Sequence, residues 1–178
     1  MDVSTELYLK YLDGDVNALQ QLVEAYSDGL IRFAYCFVAS SSVAEDIMED
    51  TFATIIVTKR RFSPKAKFKT YLYKIARNKC IDYLRFHKKF VPLCDLENVL
   101  VFNDDEADVE KREEKRVLYE CLQRLPREYR DVLQLAYLEG FDTQEICTIM
   151  RKNTKQVYNL LARAKQRLKI LLEKEGIK

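Results

Sequence analysis

Glycine and proline are scarce in this chain. Four glycines (Gly14, Gly29, Gly140, Gly176) and three prolines (Pro64, Pro92, Pro126) serve 178 residues. Sheets need tight turns, and tight turns draw on both residue types, so their poverty argues against an all-β fold and for a helical one. Histidine occurs once, His87, in the basic run FHKK, where a solvated or phosphate-facing role suits it better than catalysis. There is no H-E-x-x-H, no G-K-[ST] phosphate loop and no Cys/His cluster of metal-binding spacing. Zinc hydrolysis and P-loop nucleotide chemistry are thereby set aside, and no cofactor, no metal and no enzymatic activity are expected. The acidic cluster Asp104, Asp105, Glu106, Asp108 has a spacing that fits no closed cation site.

The five cysteines (Cys36, Cys80, Cys94, Cys121, Cys147) are scattered, odd in number and without a C-x-x-C pair. Free thiols in a reducing compartment are expected, which makes the cytoplasm the default location. Cys80, Cys121 and Cys147 stand among apolar neighbours and should pack in the core. Long apolar runs are missing too. The longest, from Leu30 to Ala39, is broken by Arg32 and is too short for a bilayer, so no membrane insertion is expected. The start, MDVSTELYLKYLDGD, is acidic and lacks the apolar stretch of a signal peptide.

What is present is a hydrophobic content of 48 %, enough for a buried core, and charge sorted into blocks. Residues 1–50 carry a net −8; residues 59–89, with twelve Lys and Arg against Asp82, carry +11. Residues 90–150 return to −8, and residues 151–178 carry +7. Two basic blocks separated by acidic ones imply two contacts with a polyanion, leaving acidic surface for other partners.

Periodicity divides the chain into two helical parts. Apolar residues recur at helical spacing from Ala18 to Val38, and Ser40-Ser41-Ser42 should start another helix, with a serine hydroxyl capping its free N–H groups. After Pro64, residues 68–89 resume the helical period. Phe68, Leu72, Ile75, Ala76, Cys80, Tyr83 and Leu84 are expected inside, with Lys74, Arg77, Asn78, Lys79, Asp82 and Arg85 outside. The first domain is placed at 5–89. Residues 90–110 contain Pro92, no sustained period and the acidic cluster, and read as a flexible linker about which the two parts should be mobile. The second domain, 111–176, has a helix near 110–124 and another opened by Pro126 and stopped at Gly140. A short helix is started by Asp142 with Glu145 three residues on, and RKN then makes a break. The last helix carries Val157, Leu160, Leu161, Ala164, Leu168, Leu171 and Leu172 in one stripe; burying such side chains at ~1.5–3 kcal/mol each would dock it firmly. The fold class is therefore all-α, two small helical domains joined by a flexible linker.

Short helix, break and longer basic helix is the layout of a helix-turn-helix, whose second helix enters the major groove with its N-terminal turns at the base edges. Thr154, Lys155, Gln156, Tyr158 and Asn159 occupy those turns. Gln and Asn can pair with adenine and Lys can donate to guanine, while Arg163 and Arg167 lie further along and suit phosphates. A plain helical hairpin with a basic, soluble face would show the same pattern. The other basic block interleaves cations with Phe62, Phe68, Tyr71, Tyr73, Tyr83 and Phe86, the mixture that captures single strands by stacking. Phe68 and Tyr83 fall on the apolar face, so Tyr71 and Tyr73 are the better stacking candidates.

These residues resemble bacterial sigma factors of the compact, two-domain extracytoplasmic-function kind. AEDIMEDTF (44–52) stands where that family has an acidic A-E-D-x-x-Q-E-T-F-like stretch. FKTYLYKIARNKCIDYLR (68–85) matches F-x-x-W-L-Y-x-I-A-R-N-x-x-I-D-x-L-R, and LPREYRDVLQLAYLEG (125–140) matches the stretch preceding the family's helix-turn-helix. The resemblance implies a factor that binds core RNA polymerase, directs it to promoters and helps open the DNA. By carry-over, Asp46, Glu49, Asp50 and Phe52 fall in the polymerase-binding region. Arg60, Arg61, Lys65, Lys67, Tyr71, Lys74, Asn78, Lys79, Asp82 and Arg85 fall where the start-proximal promoter element is read, the loop Arg60 to Lys67 where a flipped-out base is held. The helix from Thr154 falls where the upstream element is read. The linker would pass near polymerase's nucleic-acid channels, and an anti-sigma inhibitor is a further partner the family allows.

Some positions depart from the family pattern. Tyr71 replaces a frequent Trp, Glu49 a Gln, and Leu160 a frequent Arg, while Arg151 and Lys152 replace the Gly and aliphatic residue of the turn. The turn must then do without glycine, and Asn153 is the residue expected to take left-handed angles. The rival reading is a stand-alone helix-turn-helix regulator or mobile-element accessory protein. It explains the second domain but leaves AEDIMEDTF and the aromatic-basic helix without a role.

Overall fold

The computed structural model describes residues 2–59, 66–87 and 109–176. All regular structure among them is helical. Helices α1 (Val3–Leu12), α2 (Val16–Val38), α3 (Ser41–Thr58) and α4 (Phe68–Phe86) form a first group. In the second, α5 (Val109–Gln123) and α6 (Arg127–Leu133) are followed by a π-turn, Gln134–Leu138, then by α7 (Thr143–Met150) and α8 (Thr154–Lys174).

Side-chain caps set several of these boundaries. Asp2 accepts from Thr5 N at 3.1 Å and Thr5 Oγ1 at 2.6 Å to open α1, and Asp15 accepts from Asn17 N and Ala18 N to open α2. Each satisfies donors that the first helical turn leaves without intrahelical partners. The expected start of α3 at the serines is found, but Ser40 makes no side-chain cap bond. Pro126 stands just before α6, and Gly140, at φ +67°, follows the π-turn. Helix α7 opens with the expected reciprocal box, Asp142 Oδ1 accepting from Glu145 N and Glu145 Oε2 from Asp142 N, both at 2.9 Å.

The break before α8 corrects one expectation. Arg151 takes the left-handed angles (φ 54°), whereas Asn153 is extended (φ −82°) and caps α8. Asn153 Oδ1 accepts from Gln156 N at 2.8 Å, and Gln156 Oε1 accepts from Asn153 N at 2.9 Å. A residue cannot supply the N-cap in the β region and the left-handed C-cap at once, so the strain moved back to Arg151.

A continuous core runs from the first group into the second. Phe33 of α2, Tyr73 of α4 and Phe141 before α7 meet edge to face in succession, with ring centroids 5.2 Å and 5.1 Å apart. The two groups pack against each other in this structure, with α7 lying against α4. Helix α4 packs on α1, α2 and α3 of its own group and also meets α7.

Candidate nucleic-acid and polymerase interfaces

Helix α3 sorts the acidic stretch by its turn. Ala44, Ile47, Thr51, Phe52 and Ile55 face inward, so Asp46, Glu49 and Asp50 share the exposed side. Phe52, at 4 % exposure, holds α3 in place from within. Between α3 and α4 lies an open groove of about 350 Å³ lined by Val43, Asp46, Ile47, Asp50, Lys79, Asp82, Tyr83 and Phe86. Its floor is apolar and its rim acidic. Phe86 at its end is 82 % exposed, and Lys79 reaches Asp50 at 3.9 Å.

Helix α4 has two faces. Tyr71, Lys74, Asn78, Asp82 and Arg85, spaced at three and four residues, form an outward stripe that is half-buried to exposed. Arg85 leans on Asp82 at 3.5 Å, and the Tyr71 hydroxyl is 3.5 Å from that of Thr58. Arg60, Arg61 and Lys65 lie outside the described residues. Lys67, at the helix start, pairs with Glu145 of α7 at 3.1 Å.

The opposite face corrects two assignments. Tyr73, expected as a stacking candidate, is 1 % exposed, and Arg77, expected outside, is 7 % exposed. Arg77 Nε and Nη2 donate to Oδ2 of Asp131 in α6 at 3.1 and 2.9 Å. The Tyr73 hydroxyl donates to Glu139 Oε2 at 2.5 Å. A cation at this helical position is expected outward; the second group of helices supplies the carboxylate that draws Arg77 in. Burial pushes the Asp131 carboxyl above its usual range, with Arg77 opposing. Burial also raises Glu139, against the pull of Tyr73 and Lys69.

Helix α8 buries Val157, Ala164 and Leu171, which turns Lys155, Asn159 and Arg163 to the opposite side, with Gln156 and Arg167 beside them. Thr154, Lys155, Gln156, Tyr158, Asn159, Arg163 and Arg167 are all exposed. The oxygen of Gln156 is taken by the cap, so of its amide only the nitrogen is uncommitted. Leu160, Leu161, Leu168 and Leu172 pack half-buried against the core, and the last two also line a groove with Leu133, Tyr137, Lys165 and Lys169. Of the cysteines, Cys36, Cys80 and Cys121 are buried and Cys147 half-buried; Cys94 lies outside the described residues.

A helix-turn-helix with an open basic face, behind a helix that sorts acid from core, matches known families on both counts. Residues 22–90 match Sigma-70 region 2 and residues 115–168 match Sigma-70, region 4. The ECF RNA polymerase sigma factor SigM of Bacillus subtilis is 32 % identical over 154 residues, spanning 86 % of this chain and 94 % of that protein. The chain belongs to the sigma-70 family. It is an ECF-type RNA polymerase sigma factor, a transcription initiation factor rather than an enzyme. The sigma factor SigW of the same organism is 27 % identical, over 88 % of this chain and 89 % of its own length. The fold is that of CnrH, solved in complex with the cytosolic domain of CnrY (TM-score 0.72, 22 % identity, 97 % and 98 % of the two chains). It is equally that of the sigma factor RpoE of Bartonella quintana, solved with the anti-sigma factor NepR (TM-score 0.70, 18 % identity, 89 % and 98 %). No described helix of this sigma factor is long and apolar enough to cross a membrane.

Proposed function

We propose that this sigma factor engages core RNA polymerase through the exposed acids of α3 and promoter DNA through two separate basic faces. Asp46, Glu49 and Asp50 present carboxylates to a basic partner surface, and Phe52 contributes by anchoring the helix that carries them. Tyr71, Lys74, Asn78, Lys79 and Arg85, with Arg60, Arg61, Lys65 and Lys67 before them, take the start-proximal element, the cations on phosphates and Tyr71 stacking on an unpaired base. Thr154, Lys155, Gln156, Tyr158 and Asn159 read the upstream element, with Arg163 and Arg167 on its backbone. The protein works in the cytoplasm. An inhibitor comparable to the partners of CnrH and RpoE holds it when it is not needed.

The observation that carries this reading is the segregation on adjacent helices. Asp46, Glu49 and Asp50 stand exposed on α3 and Tyr71, Lys74, Asn78 and Arg85 stripe the outside of α4, the two sets meeting where Lys79 reaches Asp50. The test is run-off transcription with purified core RNA polymerase on a library of promoter fragments. Discrete start sites that need both components, and that vanish with Asp46→Lys and Asp50→Lys together, are expected. Absence of stimulation, with tight salt-sensitive binding of the chain alone to duplex, would overturn the reading in favour of a stand-alone regulator.

A further inference from the structure

Helix α8 carries two amide side chains in its first two turns, Gln156 and Asn159, and their atoms are not equally available. A backbone N–H can only donate, so the atom of Gln156 that meets Asn153 N at 2.9 Å is the amide oxygen. Gln156 N donates in turn to Asn153 Oδ1 at 2.8 Å, and the reciprocal cap is closed. A bidentate pair with adenine needs an amide that both donates to N7 and accepts from N6. Gln156 has only its nitrogen to offer, and turning the amide round would set a second donor against the Asn153 N–H. Asn159 carries no such commitment: it is exposed, and among the described residues neither atom of its amide has a partner.

The orientation of α8 separates the two residues further. Val157 and Ala164, both fully buried, fix which side of the helix faces the protein. The line farthest from them then runs through Lys155, Asn159, Ala162 and Gln166, at steps of three and four residues, all exposed. Asn159 stands on that line, whereas Gln156 adjoins Val157 and lies on the flank. The methyl of Ala162, one turn on from Asn159, leaves the backbone free to approach a groove floor closely. Both ends of the helix are tied to those behind it: Lys152 Nζ pairs with Glu128 of α6 at 2.9 Å, and Arg124 with Glu175 at 2.5 Å. Lys152 is thereby spent on holding the turn, and α8 is held against rolling to bring Gln156 to the front.

We propose that the adenine-reading amide of α8 is that of Asn159, and that Gln156 is a positioning residue which holds the first turn through its cap. This rests on the reading of α8 as the helix that enters the upstream element, and it divides the labour within that helix. One base pair of the element is then specified as adenine by Asn159, and none is specified as adenine by Gln156.

Exchanging each amide for its acid separates the two roles. A carboxylate accepts but does not donate, so at a base-reading position it trades adenine for cytosine, whose N4 is a donor. At the cap it serves as well as the amide, because the cap uses only the acceptor. Promoter fragments found by run-off transcription are rebuilt with the upstream segment randomised. They are bound by holoenzyme assembled from core RNA polymerase and the full chain, and the retained fragments are sequenced. Wild type is expected to select adenine at one position by roughly five- to one-hundred-fold. Asn159→Asp should convert that preference to cytosine, and Asn159→Ala, which keeps the test sound if the acid is poorly tolerated, should flatten it. Gln156→Glu should keep the wild-type pattern of preferences and the wild-type midpoint of urea unfolding, its added negative charge lowering retention of all sequences alike. A new cytosine preference in Gln156→Glu overturns the proposal, as does an adenine preference that survives Asn159→Ala or a selected sequence without adenine. In those cases a wild-type holoenzyme that still selects an upstream sequence leaves the reading of α8 standing; one that selects none removes that reading and the proposal together.

Discussion

Arg151 is held at φ 54° between the two helices of the DNA-binding motif, where a side chain meets the backbone and glycine does not. Arg151→Gly removes that conflict but also enlarges the freedom of the unfolded chain. The expected net effect is a stabilisation of up to about 1 kcal/mol, read from the midpoint of urea unfolding. A clear loss of stability would mean that the exposed Arg151 side chain makes contacts worth more than its strain. The neighbouring Asn153 illustrates how far local reading reaches. That a residue in the RKN break must go left-handed was legible from the absence of glycine. Which one was not, because the choice depends on whether Asn153 spends its side chain on the next helix, and the capping bonds to Gln156 decide that.

Among the helices, boundaries were the more legible part, and capping chemistry separates those that rest on side chains from those that do not. Asn153 caps α8 through a reciprocal pair of bonds, whereas Ser40 opens α3 without a side-chain bond. Asn153→Ala is therefore expected to cost about 1 kcal/mol and Ser40→Ala only a few tenths, compared by chemical unfolding of both variants. Equal losses would show that the serine hydroxyl does cap the helix in solution. The faces of α4 were less legible than its ends. Its stripe of Tyr71, Lys74, Asn78 and Arg85 follows from helical period alone. The burial of Tyr73 and Arg77 needs Glu139 and Asp131, which stand 66 and 54 residues away in the chain, and no local pattern announces a partner at that distance. The α8 stripe was legible from its period: Val157, Ala164 and Leu171 are buried, and Leu160, Leu161, Leu168 and Leu172 pack half-buried against the core.

For the molecule as a whole, buried tyrosines set the alkaline limit of stability. Burial pushes Tyr8 and Tyr119 up to about 12 from the ordinary 10.0, and burial beside the Glu139 carboxylate raises Tyr73 further. Folded, these groups keep their protons at a pH where the unfolded chain has released them. Their contribution is thus fully present below pH 10.0 and is lost progressively as the pH rises towards about 12. Thermal unfolding should fall in temperature over that window. The ultraviolet titration of ionising tyrosine should then show exposed residues first and a delayed fraction that appears together with unfolding. A single phase near the ordinary value, with the helical signal intact, would contradict this burial. The two-part division of the chain was legible from charge blocks and periodicity. The packing of the parts was not, because it rests on a polar seam whose two sides look like ordinary solvated helix residues when read separately.

The thiols turn that seam into something that can be timed. Cys80 is wholly enclosed and lies near enough to Asp131 for its carboxylate, after burial itself, to push the thiol further above its ordinary value. The backbone of Cys36 is bridged to the second group of helices by Gln123, while Cys147 is half-buried on α7. A thiol reagent meets the half-buried Cys147 in the folded chain but meets the enclosed Cys80 only when its cover opens, since reactivity belongs to the exposed thiolate. The rate at which Cys80 is consumed is therefore a clock for a motion that no spectroscopic label had to be installed to follow.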